Sequence, residues 1–146
     1  MKLLELAHSP PVIVSPDTSV MDAIHRSLPA RIGAVIVMEG DATVGILTAR
    51  DIMLKVVHRR LDQDRTQVRQ VMTSPVLMVL PDSPPEEVIR LMLDRNILHL
   101  PLSFDGHKVE GVLTLRSLLK YLMDDLRQDL RFMKDYVVGT PPLLQS

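Results

Sequence analysis

Gly45-Ile46-Leu47-Thr48-Ala49-Arg50-Asp51 returns later in the chain as Gly111-Val112-Leu113-Thr114-Leu115-Arg116-Ser117. The two glycines stand 66 residues apart. A second echo precedes each of them: Ser15-Pro16-Asp17-Thr18 and Leu80-Pro81-Asp82-Ser83, offset by 65. Residues 12–57 and 75–121 therefore read as two copies of one unit, with one residue inserted between the markers. A repeat that cannot bury its own apolar face packs on its neighbour. The cleft between two such halves suits a small ligand. Asp51 against Ser117 marks the two clefts as inequivalent.

Working outward, Val12-Ile13-Val14 is a β-branched strand run, and Pro16 stops it. Asp17 or Thr18 can cap a helix with Val20, Ala23, Ile24 and Leu28 at helical spacing, ended by Pro29. Gly33-Ala34-Val35-Ile36-Val37-Met38 reads as a buried strand, Gly40-Asp41 as a turn, and Thr43 to Leu47 as a return strand. Thr48 caps a second helix to about His58. The second copy repeats this order. Its strand Val76–Leu80 leads to a capping box with proline at N1 in Ser83-Pro84-Pro85-Glu86. Val88, Ile89, Met92 and Leu93 form the buried helix face. Strand Leu98–Leu102, turn Asp105-Gly106, strand Val109–Leu113 and a helix capped by Thr114 complete it.

Leu118, Leu122, Leu126, Leu130, Met133 and Val137 continue at spacings of four and three, extending the last helix to about Val138 with one apolar stripe. The stripe either covers the chain's own core or forms a dimer seam. The predicted fold is α+β, two β-α-β-β-α repeats with pseudo-twofold symmetry and an extended C-terminal helix. The expected divisions are 8–60, a linker at 61–71, 72–121, a helical extension at 122–138 and a loose tail at 139–146.

Hydrophobic residues make up 46% of 146, enough for a core, and only two Phe and two Tyr contribute aromatics. That core must be aliphatic. The net charge of −1 gives no broad pull toward nucleic acid, which is not an expected partner. No cysteine is present, so disulfides, thiolate metal sites and cysteine nucleophiles are excluded. No stretch approaches the ~20 apolar residues that span a bilayer. A soluble, cytoplasmic protein without membrane contact is expected. The five histidines lack metal-ligand spacing, and no nucleophile-elbow or P-loop motif occurs. We therefore expect no enzyme, no catalytic residue, no metal and no catalytic cofactor.

Thr48 with Asp51 is the leading candidate for chemistry. A strand that feeds a helix leaves free backbone N–H groups where a phosphate can sit. Ionised Asp51 accepts hydrogen bonds only, which suits two adjacent sugar hydroxyls. Thr-x-x-Asp is equally a capping-box variant, in which both residues simply satisfy the helix start. His99 could approach a phosphate or be packed in the core. Arg50 and Arg116 could neutralise phosphates or be exposed first-turn residues.

The duplicated strand–helix–strand–strand–helix unit ending in Gly-hydrophobic-x-Thr-x-x-Asp closely resembles the CBS domain, named after cystathionine β-synthase. Val71-Met72-Thr73-Ser74-Pro75-Val76 is similar to the usual opening of such a repeat. Ile97-Leu98-His99-Leu100-Pro101-Leu102 is similar to the family's Arg-His-Leu-Pro-Val strand, with Leu98 where arginine is common. The resemblance covers about residues 8–121. It implies a tandem pair with two ligand clefts, and a sensor of AMP, ADP, ATP, S-adenosylmethionine or sometimes NAD. Carried over, one site combines Ile46, Thr48, Asp51, Thr73, Val76, Leu98, His99, Leu100 and Pro101. A second, weaker site combines Val12, Arg31, Gly33, Ala34, Thr114 and Ser117, where serine lacks the charge-assisted bond of the acid. The resemblance further implies a homodimer that signals to a regulated protein. The alternative is a non-catalytic dimerisation scaffold with vestigial clefts.

Overall fold

A computed structural model describes residues 2–136, with side chains to residue 133. Val137 of the stripe and the expected tail lie outside the described residues.

In the first repeat, β1 (Ile13–Val14), β2 (Ala34–Glu39) and β3 (Ala42–Thr48) form a sheet in that order. β1 runs parallel to β2, with Ile13 opposite Ile36. β3 runs antiparallel to β2, with Ala34 opposite Thr48. Helix α2 (Val20–Ser27) crosses between β1 and β2, after a single N-terminal turn α1 (Lys2–Leu6). Helix α3 (Ala49–Asp51) continues through a π-helical stretch, Ile52–Val57. The continuous apolar run of β2 follows from burial on both faces. Val35 and Val37 face a core shared with Val20, Ala23 and Val56. Ala34 and Ile36 face a middle layer with Ile46, Val109 and Val112. That middle layer draws on both repeats.

In the second repeat, helix α5 (Pro85–Arg95) precedes β4 (His99–Leu102) and β5 (Gly111–Thr114), which pair antiparallel. Helix α6 (Leu115–Tyr136) follows. Leu100, Leu102, Leu113 and Leu118 pack with Val88, Ile89 and Met92. Leu3 of α1 is fully buried in this same core, among residues distant from it in sequence.

Several local expectations are corrected. Ser19, not Asp17 or Thr18, caps α2 by accepting from the Asp22 N–H at 3.1 Å. Thr18 instead closes a loop with the Ser15 N–H, and Asp17 pairs with Arg69. Helix α2 ends at Ser27, and Pro29 lies within one 3-10 turn, Leu28–Ala30. Pro85 does occupy N1 of α5, but the N-cap is Pro84 and no side chain caps it, so the box at Ser83–Glu86 is not formed. Leu93 is exposed rather than on the buried face. The strand expected at Val76–Leu80 is reduced to Val79, whose N–H donates to the Pro101 carbonyl and whose carbonyl accepts from Ser103. Continuing this parallel ladder would require an N–H from Pro101, which proline lacks.

The segment expected as a linker at 61–71 contains α4 (Val68–Val71), and both valines are buried in the core of the first repeat. Beyond it the chain crosses over. Thr73 pairs antiparallel with Ile46 on the first sheet, while His8 pairs with Val112 on the second. Each sheet is thus extended by the segment leading into the other repeat. The echoed glycines make this approach possible. A Cβ on Gly45 would meet Met72, and one on Gly111 would meet Ala7 and the His8 carbonyl.

Candidate functional site

The end of β3 builds the first cleft. Thr48 keeps an extended backbone and caps α3, its hydroxyl accepting from the Asp51 N–H. Oδ2 of Asp51 accepts in return from the Thr48 N–H at 3.0 Å and its hydroxyl at 3.2 Å. This is the capping box foreseen as one reading of the motif. Oδ1 accepts from the Thr73 hydroxyl at 2.8 Å and lies 2.9 Å from Lys55 Nζ. Asp51 is only 6% exposed, and its acceptor positions are all engaged. Lys55 also donates to the Val71 carbonyl at 3.2 Å, tying the π-helical stretch to the crossing segment.

A cleft of about 200 Å³ opens beside this carboxylate. Ile46, Thr48, Asp51, Thr73, Leu98 and His99 line it, together with Ala49, Arg50 and Ile97. Arg50 donates to the Asn96 carbonyl at 2.7 Å across the cleft mouth. Three residues foreseen for this site lie elsewhere. Leu100 is fully buried among the helix-facing leucines, because alternate β4 side chains face opposite sides. Pro101 is buried beside Val79. Val76 packs on the middle layer.

The second cleft, of about 520 Å³, lies between α1, the end of the 3-10 turn and the start of α6. Of the residues expected for the second site, Arg31, Thr114 and Ser117 line it. Val12 instead packs on the first core and offers its carbonyl to the Ile36 N–H. Gly33 and Ala34 border a separate apolar cavity of about 350 Å³ between α2 and α3. Thr114 accepts from the Ser117 N–H at 3.1 Å, and the two hydroxyls lie 2.9 Å apart. The motif position thus keeps its cap without an acid.

Leu98 and His99 line both clefts. The His99 Nε2–H donates to the carbonyl oxygen of Ile32, so the ring bridges the repeats. Burial pushes its pKa below the ordinary histidine value, and the Ile32 bond opposes this only partly.

Sequence reasoning missed Lys55 and His8. Lys55 was readable as the i,i+4 partner of Asp51. His8 was readable from the offset of 65 that equates it with Thr73. Among the described residues no group of three or more His, Cys, Asp or Glu is placed to hold a metal ion. No helix among them is long and apolar enough to cross a membrane.

Two fused repeats with interrepeat clefts define a class of paired modules, and comparison with known proteins supplies the family. The CBS domain matches at residues 4–58 and again at 68–124, so the chain belongs to the CBS domain family, whose paired members are regulatory ligand-sensing modules. It is similar to a solved CBS domain structure at 34% identity and a TM-score of 0.75, covering 83% of this chain and 93% of that one. It is 29% identical to an uncharacterised protein of Methanopyrus kandleri, over 87% of this chain and 67% of the other. A CBS domain pair solved in complex with 5′-methylthioadenosine and S-adenosyl-L-methionine has the same fold. Its TM-score is 0.73 at 22% identity, over 84% of this chain and 96% of that one.

Proposed function

We propose that the chain is a regulatory module that binds an adenosyl ligand (AMP, ADP, ATP or S-adenosylmethionine) in the cleft beside Asp51 and signals to a partner protein by a change in packing. The observation that carries this reading is a buried carboxylate at a helix start, bordering a cleft with apolar wall residues at Ile46, Ile97 and Leu98. Apolar walls suit a flat base, and the carboxylate suits a ribose diol. A diol that reaches Oδ1 replaces the Thr73 and Lys55 contacts. Lys55 then releases the Val71 carbonyl, and the crossing segment gains freedom. A ligand that favours the released arrangement shifts the population toward it, and that shift is the signal.

The test is the ultraviolet spectrum of the purified protein, with analysis of any small molecule released by acid. The chain has no Trp and two Tyr, so an adenine compound stands out near 260 nm. Titration with each candidate nucleotide follows, on the native protein and on Asp51→Ala. Binding lost in the variant supports the reading. No binding of any adenosyl compound by the native protein overturns it.

The scaffold reading is favoured by one specific feature: Asp51 is already satisfied by the protein itself. Under it, Asp51→Ala changes stability and no ligand response. Homodimerisation is common to both readings and is supported by the exposed apolar residues Leu126, Leu130 and Met133 on the outer half of α6. The module is proposed to be non-catalytic, and turnover of any of these nucleotides by the purified protein would contradict that.

A further inference from the structure

We propose that the second cleft is an anion site that takes a diphosphate or longer phosphate chain and makes no use of a ribose. It differs from the first cleft in charge as well as in volume. Arg31 and Arg116 both line it, and so do His8 and His99. No carboxylate is among its lining residues. Neither guanidinium has an ion-pair or hydrogen-bond partner among the described residues. In the first cleft, by contrast, Asp51 neutralises Lys55, and Arg50 is held by the Asn96 carbonyl.

Two unpaired guanidinium groups on one cavity repel each other, and an anion between them turns that repulsion into attraction. Guanidinium is also the side chain whose planar fork matches phosphate oxygens. Arg31 is well anchored: it closes the 3-10 turn with a left-handed backbone at φ 58°, its N–H donating to Ser27 and Leu28 carbonyls. His8 is fixed by its backbone pairing with Val112. One of the Thr114 and Ser117 hydroxyls donates to the other, which leaves the second as a neutral donor at the same wall. Ser117 is what permits this: an acid there would cancel one guanidinium and repel the phosphates. The volume of about 520 Å³ leaves room for more than a single phosphate.

The site is independent of the adenosyl reading, and the test separates them. Inorganic pyrophosphate is titrated calorimetrically into the full chain, at low and at moderate chloride. Saturable binding that weakens with salt is expected. Arg31→Gln and Arg116→Gln should each weaken it about tenfold, the order expected for one charge-assisted hydrogen bond. Asp51→Ala should leave it unchanged, and Ser117→Asp should abolish it. Both arginines are exposed, so a thermal scan suffices to show that these variants fold. Absence of pyrophosphate binding, or binding indifferent to both arginine substitutions, overturns the proposal. A parallel titration with adenosine, which has no phosphate, should depend on Asp51 and not on Arg31 or Arg116. ADP compared with free pyrophosphate tells a nucleotide's phosphates from an inorganic source.

Discussion

At Asp51 one oxygen closes the helix cap while the other holds Thr73 and Lys55. Asp51→Ala should cost about 1–2 kcal/mol from the cap alone. Ser117→Ala should cost less, because Ser117 contributes a hydroxyl contact to Thr114 and no charge. Thermal denaturation of the two variants checks the order. The cap was legible because its residues are three apart. The Lys55 bond to the Val71 carbonyl was not, because it spans sixteen residues and depends on where α4 docks. His99 gives a pH prediction. Its folded pKa is lowered, so the unfolded chain binds more protons below about pH 6.5. Its contribution to stability is therefore complete above that pH and is lost as pH falls toward the folded value. Denaturant unfolding at about pH 7.5 and 5.5 should show the drop, and His99→Gln should flatten part of it.

Among the elements, the crossing segments depend on two glycines. A Cβ on Gly45 would run into the Sδ and Cγ of Met72, a flexible side chain. Gly45→Ala should destabilise by about 1–3 kcal/mol through overpacking. Adding Met72→Ala should return part of that loss, a non-additivity that a double-mutant cycle measures. The repeated glycine was visible in the sequence; its reason was not, because the residues it admits lie 27 positions on in one repeat and about a hundred positions back in the other. Helix α6 shows the same division. Leu118 is buried and Leu122 packs on the second core, but Leu126, Leu130 and Met133 are exposed, and Phe132 is 71% exposed. The stripe is thus core at its start and uncovered beyond, which periodicity alone does not reveal. Leu126→Asp with Leu130→Asp should convert a dimer to a monomer by light scattering if α6 is the seam, without loss of the fold.

Across the whole molecule, duplication was the most legible property, since it is written in repeated residues. The crossing between halves was the least legible, since it rests on two single-residue pairings, 8 with 112 and 46 with 73. Removal of residues 1–8 should accordingly loosen the second repeat and spare the first. Amide exchange should show lost protection in β5 and α6, with β2 and β3 unchanged. The same crossing sets an order on synthesis. As the chain leaves the ribosome, the first repeat gains its last sheet partner when Thr73 emerges. Residues 3–8, made before the first repeat, must wait for Val112 and Leu118 before Leu3 is covered. A segment made ahead of both repeats is thus folded only after both have been made.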